Sequence, residues 1–239
     1  SWDFGGHALA LTLLGRYLAV EHGGDILKRD LIPQLISEER LGDHARRVMK
    51  AYEDWLQGRP ELDILYVMGL FDRPAPEGAI DAIKAAPPIP GLTERLHCLA
   101  RDQWQVAKNN LRYLRLLAPK STTEGDVLDC HPLVREYFGE RLKALNSTAW
   151  TEAHSRLYEY FKRLPKKEFP DTLEEMEPLY QAVGHGCRAV RYPETLDEVY
   201  QKQIDRGNEA FSTRKLGAYA ADLAAVSHFF ETPWTKLAK

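Results

Sequence analysis

The sequence predicts a mainly α-helical protein: a helical bundle, a winged-helix domain with one β-hairpin, and then antiparallel helix pairs. Apolar residues recur at helical spacing along most of the 239 residues. One stretch, 115–130, instead has two short apolar segments around a polar turn, which is the pattern of a β-hairpin. Proline and glycine clusters divide the chain into three blocks, 1–57, 61–145 and 147–239.

The first block, 1–57, is predicted to be a small bundle of three helices. In the first helix Leu11, Leu14 and Leu18 share one face, and two glycines follow its end. The other two helices have the same kind of apolar face. The predicted helices cover 7–20, 25–38 and 41–56.

The second block, 61–145, has the element order of a winged-helix domain, in which a hairpin wing follows three helices. A polar cluster from Ser121 to Asp126 supplies the turn of the predicted hairpin 115–130. Pro132 suits the first turn of the final helix, because its missing N–H would be unpaired there in any case. The three helices before the hairpin are predicted at 61–72, at 77–86 and over 92–100 and 102–114, the third with a bend between its two parts.

The third block, 147–239, is predicted to consist of helix pairs. Thr172 and Glu175 form a capping-box pattern that opens one of its helices. Small residues where helices would cross are typical of tetratricopeptide-like (TPR-like) repeats, but no clean 34-residue period is present, so a plain helical bundle is the alternative. The helices after the first are predicted at 173–190, 193–205 and 212–230, with a frayed end.

Composition excludes several classes of protein. Hydrophobic residues make up 44% and charged residues 28%, which is typical of a globular chain and not of a disordered one. The net charge of −3 does not indicate a strongly basic nucleic-acid binder. The absence of a long apolar run or a basic leader predicts no membrane span and no signal peptide. Because the chain begins with Ser1, we expect a piece of a longer protein.

The motifs of self-sufficient catalysis are missing. The chain has no Gly-x-x-x-x-Gly-Lys-Ser/Thr phosphate loop, no Gly-x-Ser-x-Gly elbow and no His-Glu-x-x-His pair. Cys98, Cys130 and Cys187 are far apart and lack zinc spacing, which favours reduced thiols in a cytoplasmic protein. We therefore expect no catalytic residues, no metal site and no enzyme activity in this chain alone.

Two segments resemble a known family. Residues 6–15, Gly-His-Ala-Leu-Ala-Leu-Thr-Leu-Leu-Gly, are similar to the Gly-Leu-Pro-Leu-Ala-Leu helix start of STAND-type signalling ATPases, with Ala8 in place of Pro. Residues 127–138 are similar to the Met-His-Asp motif of that family, with Cys130 at Met and Pro132 at Asp. The order of bundle, winged helix and helical repeats also resembles the region after the P-loop core of the bacterial (NB-ARC and NACHT-like) members.

The resemblance implies a non-catalytic regulatory region in signal transduction. His131 would reach the β-phosphate of bound ADP, and Gly6 and Ala8 would line the adenine. An upstream P-loop domain would hold most of the ADP or ATP, so this chain alone would bind nucleotide weakly. The helical tail would recognise a ligand or a protein partner, and exchange to ATP would open the molecule and lead to homo-oligomers.

Two other functions remain open at this stage. A winged-helix regulator would bind DNA through the third helix, where Lys108, Arg112 and Arg115 carry charge. Three cations are equally typical of a solvated helix face, and the acidic hairpin tip would repel phosphates, so DNA is the weaker interpretation. A stand-alone helical interaction module would bind neither nucleotide nor DNA. The alternative for His131 itself is a helix-terminal histidine packed against the wing.

Overall fold

The computed structural model is mainly helical, which confirms the mainly α part of the predicted fold class. The residues that it describes are 8–31, 43–120, 127–232 and 234–238. None of the helices in these residues is both long enough and apolar enough to cross a membrane. The chain divides into two compact units, the first made of 1–80 with 86–146 and the second of 81–85 with 147–239.

The helices before residue 147 follow the predicted positions closely, except in the segment 25–38. There the described part is a 3-10 helix, Ile26–Leu31, and residues 32–38 lie outside the described residues. The α-helices are α1 (Ala8–Glu21), α2 (Asp43–Trp55), α3 (Pro60–Met68), α4 (Glu77–Lys84), α5 (Glu94–Cys98), α6 (Arg101–Tyr113) and α7 (Pro132–Leu145).

Helix α3 lies at the centre of the first unit. Its residues from Glu61 to Met68 are all buried, as expected for a helix that is apolar on most sides. It packs against α5, α6 and α7. Its crossing with α7 is very close, because a Cβ added at Gly139 would lie 2.5 Å from the carbonyl oxygen of Gly69. Glycine at this point lets the two backbones touch.

The predicted hairpin segment 115–130 is built differently from the prediction. Arg115 has a φ of 63° and ends α6, while the Leu116 N–H donates to the Leu111 carbonyl at 3.0 Å. The prediction of a strand starting at Arg115 is therefore wrong, because this is the left-handed residue that closes a helix. Residues 121–126, the predicted turn, lie outside the described residues.

Strand-like pairing does occur around Leu128, but with a partner from elsewhere in the chain. Leu128 forms an antiparallel bridge with Ala75, which follows α3, through two N–H···O bonds of 2.7 and 3.0 Å. The Ala118 N–H in turn donates to the Asp129 carbonyl at 2.8 Å. These bonds hold the segment that leads into α7.

The second unit contains the helices and the hairpin after residue 146. The chain continues from α10 directly into a π-helix, Thr195–Asp205, where the sequence predicts an ordinary helix. The predicted helix 212–230 is interrupted, and the tail beyond it forms an antiparallel hairpin rather than a frayed end. The elements are α8 (Ser147–Arg163), α9 (Leu173–Arg188), α10 (Tyr192–Glu194), the 3-10 helix Gly207–Glu209, α11 (Phe211–Arg214), α12 (Tyr219–Ser227), β1 (Phe230–Thr232) and β2 (Lys236–Leu237).

The core of the second unit is the α8–α9 pair. His185 of α9 stacks on Phe161 of α8, with ring centroids 5.3 Å apart and planes 4° apart. Its Nδ1 also lies 2.8 Å from Nδ1 of His154, and both histidines are buried. Gly186 lets the π-helix approach, because an added Cβ would lie 2.1 Å from Oγ1 of Thr195.

Candidate functional site

His131 is the N-cap of α7, and its side chain has a defined role there. Its backbone is extended (φ −61°, ψ 140°), and Nδ1 accepts a hydrogen bond from the Leu133 N–H at 3.2 Å. A ring nitrogen that accepts carries no proton, so the neutral imidazole must hold its proton on Nε2. The residue is exposed. The site therefore presents an accessible residue with its ring N–H donor fixed at Nε2.

The backbone at the start of α7 contributes little to ligand binding. Pro132 has no N–H, and the Leu133 N–H is already paired with the ring of His131. The N–H groups of Val134 and Arg135 both donate to the His131 carbonyl, at 2.9 and 3.2 Å. An anion at this helix start would thus be held by the His131 side chain, assisted by the helix dipole.

Arg135 lies one turn into α7 and reaches back to the residues before His131. Its Nη2 donates to Oδ1 of Asp129, and the same oxygen accepts the Cys130 N–H at 2.7 Å. Arg135 is only 7% exposed, and its buried Nε has no hydrogen-bond partner. Leaving such a donor unsatisfied costs about 1–3 kcal/mol. Helix stability alone does not explain an arginine here.

Cys130 occupies the interior beside this arginine. Burial raises the pKa of its thiol to about 12, and the charge and hydrogen bond of Arg135 lower that pKa only in part. At neutral pH the group is therefore a protonated thiol, which packs as a small apolar side chain. Its position before His131 is structural.

The other two predicted nucleotide contacts lie at the start of α1. Ala8 is its first residue and is exposed, while Gly6 falls outside the described residues. Helix α2 packs against both α1, which begins at Ala8, and α7, which His131 caps. Contact of Gly6 and Ala8 with adenine stays a prediction.

Of the three cations on which the DNA interpretation depends, Lys108 is buried, Arg112 is partly exposed and Arg115 is exposed. Lys108 is 2% exposed, with Nζ 5.7 Å from the centroid of the Trp104 ring. Asn110, on the same helix, donates from Nδ2 to Oε1 of Glu61 at 2.8 Å, so this polar side chain is also engaged within the protein. The spacing of Lys108 from Leu111 could have revealed its burial, because residues three apart share a helix face.

Sequence reasoning also missed a buried polar cluster at Glu53, which joins α2 to α3 and α7. The Glu53 carboxylate is 1% exposed and accepts from the hydroxyls of Tyr66 and Tyr137, at 2.9 and 2.8 Å. Arg141 Nε donates to both of its oxygens, at 3.0 and 3.1 Å. Burial and the Glu53 carboxylate raise the pKa of both tyrosines, so they stay protonated donors. This cluster holds α2 against α3 and α7 within the first unit.

The second unit offers an open cleft along its π-helix, lined in part by Phe169 and Asp197. The two cations of this cleft are already paired. Lys202 Nζ lies 3.4 Å from Glu168 Oε1, and Arg206 Nη1 lies 3.6 Å from Asp171 Oδ1. Arg206 also packs over the ring of Phe211, 3.5 Å from the centroid. The cleft therefore has no charge arrangement that selects one ligand.

No three His, Cys, Asp or Glu side chains in the described ranges are grouped to hold a metal ion. Comparison with protein-family models, with curated proteins and with solved structures finds no match to this chain. The functional assignment therefore depends on the geometry around His131 and on the sequence motifs.

Proposed function

We propose that this chain is the regulatory region of a STAND-type signalling ATPase and that it closes over ADP. The observation that carries the proposal is the exposed His131, whose ring is fixed as an Nε2–H donor at the start of α7. Such a donor suits a phosphate oxygen, and phosphate is the group that it would meet in the closed state. An upstream P-loop domain would supply the remaining nucleotide contacts.

Pairing around Leu128 supports a winged-helix domain over 61–145. Helices α3, α4 and α6 are followed by two short extended segments, around Ala118 and Leu128, and then by α7. The Ala118 N–H donates to the Asp129 carbonyl, and Leu128 pairs with Ala75. This is the order of helices and short strands in a winged helix. In the proposal, this domain and the bundle 1–57 form the lid, and the TPR-like helices of 147–239 begin the sensor.

The same proposal also implies where the protein acts and what it binds. It would act in the cytoplasm, bind its trigger or a protein partner through the helical tail, and form homo-oligomers after exchange to ATP. DNA binding is disfavoured by the burial of Lys108 and by the Asn110–Glu61 hydrogen bond. A stand-alone interaction module would be consistent with the helical fold, but it assigns no function to the exposed His131.

The test is the affinity of the intact protein, including its P-loop domain, for ADP. Asparagine at position 131 can still cap α7 through its side-chain oxygen, but it lacks the ring Nε2–H. We expect His131→Asn to weaken ADP binding about tenfold, which corresponds to one hydrogen bond of about 1.4 kcal/mol. Basal signalling should rise in the same variant. Calorimetric titration measures the affinity.

A matched control is His97→Asn, the same change at another exposed histidine of the first unit. It should leave both ADP affinity and basal signalling unaltered. If the His131→Asn protein binds ADP as tightly as the His97→Asn protein, the assignment of His131 to the nucleotide is wrong. That result would favour a stand-alone interaction module.

A further inference from the structure

The residues that flank His131 form a closed loop. The Arg135 guanidinium pairs with the Asp129 carboxylate, so a side-chain contact spans the N-cap from the residues before it to the first turn after it. Asp129 is itself held by the Ala118 N–H on its carbonyl, at 2.8 Å. His131 lies at the middle of this loop. Its backbone path therefore depends on the Asp129–Arg135 pair.

Packing alone gives no reason for an arginine at this position. Its neighbours Val134 and Phe138 are completely buried, and Arg135 shares their environment with an unsatisfied Nε. An apolar side chain would avoid the cost of that buried donor. What the arginine supplies in place of apolar packing is the ion pair with Asp129.

We propose that Arg135 is the positioning residue of His131. By holding Asp129 against α7, it keeps the His131 ring turned so that Nδ1 faces the Leu133 N–H and the proton resides on Nε2. The use of that proton toward a phosphate rests on the proposed function, whereas the fixed tautomer does not.

The test is the tautomer of His131, read from long-range ¹H–¹⁵N correlation spectra of the full chain at a pH where the ring is neutral. The wild type should show the Nε2–H form almost alone. Asp129→Asn keeps an oxygen for the Cys130 N–H but removes the negative charge that holds Arg135. It should raise the Nδ1–H population several-fold, and Arg135→Met should do the same or more. Arg135→Lys should restore the wild-type form in part.

The control is Arg46→Met, which removes the contacts of α2 with Glu136 and Glu140, on the same helix as Arg135. It should leave the tautomer unchanged. Because Asp129 is half-exposed, the Asp129→Asn protein is expected to stay folded even if the Arg135→Met protein does not. A folded Asp129→Asn protein with the wild-type tautomer would overturn the proposal. The outcome is separate from ADP binding: an unaltered ADP affinity in His131→Asn rejects the function but not the positioning role.

Discussion

Helices α7 and α9 begin with different chemistry, although both have a side-chain cap. At α9, Thr172 Oγ1 accepts the Glu175 N–H at 3.2 Å, and Glu175 Oε2 accepts the Asp171 N–H at 3.0 Å. Threonine is a preferred N-cap residue, so helix stability explains this start completely. At α7 the cap is His131, which is not among the preferred residues and which leaves an exposed ring. Helix capping alone gives no preference for histidine at this position, and the proposed phosphate contact would supply one.

The same two helices differ in how they are held by their surroundings. Helix α7 is joined to its neighbours partly by charged groups, through Arg141 on Glu53 and Arg135 on Asp129. Helix α9 is held by the aromatic stack of His185 on Phe161, by the buried contact of His185 with His154 and by close apolar packing, with no charged side chain in the described part of this core. Polar junctions fix geometry at a cost in desolvation, while apolar packing mainly adds stability.

Thiol reactivity gives the largest expected effect. Burial raises the pKa of Cys130, before α7, and of Cys187, in α9, to about 12. At pH 8 only about one thiol in 10⁴ would then be ionised, and burial further blocks the reagent. The exposed Cys98 should be alkylated at least ~100-fold faster than either, as followed by mass spectrometry of iodoacetamide-treated protein.

The relative rates of the two buried thiols sharpen the comparison. If Cys130 reacts as fast as Cys98, the start of α7 opens readily in the native protein, and the rigid geometry argued for His131 is wrong. Equal protection of Cys130 and Cys187 would place the two helices at similar local stability.

Replacing a glycine inside α7 or α9 by alanine gives the next largest expected effect, a change in the free energy of unfolding. Alanine at 139 would place a Cβ 2.5 Å from the backbone oxygen of Gly69, and neither backbone can move without separating α3 from α7. We expect Gly139→Ala to lower the free energy of unfolding by about 3 kcal/mol, measured by urea denaturation.

The matched change in α9 is Gly184→Ala. Its Cβ would lie 3.2 Å from the ends of the Arg188 and His228 side chains, which can shift. The higher helix propensity of alanine offsets that adjustment, so the change should be within about 1 kcal/mol. Similar losses of unfolding free energy in the two variants would contradict the expectation that the close α3–α7 approach makes Gly139 the more sensitive position.

Replacing the N-cap residues is expected to change stability only slightly, and it separates capping from nucleotide binding. Thr172→Ala should lower the free energy of unfolding by about 1 kcal/mol and leave the ADP affinity of the intact protein unchanged. His131→Ser should leave the free energy of unfolding nearly unchanged and weaken ADP binding, because serine caps well but cannot supply the ring donor. Urea denaturation and ADP calorimetry on both variants check this. A His131→Ser protein that is less stable but binds ADP normally would reduce His131 to a cap.

Several features could be predicted because they depend on residues close in sequence. The helical spacing of apolar residues placed α2, α3 and α6 to within a few residues. The Thr172 cap and the start of α7 at Pro132 follow from local backbone chemistry. The place of His131 just before α7 belongs to this group, because Pro132 directly follows it, whereas the exposure of its side chain was not predicted.

Other features were decided by contacts between residues far apart in the chain. Leu128 pairs with Ala75, and Glu53 finds Tyr137 on another helix, although no local pattern names either partner. The left-handed Arg115 closes a helix where the local apolar run reads as a strand. Periodicity describes which face of a segment is apolar, but hydrogen bonding and burial of charge are settled only when distant segments meet. The sequence by itself therefore determined most helices before residue 147 and the place of His131 ahead of α7, while tertiary packing decided the polar junctions around that residue.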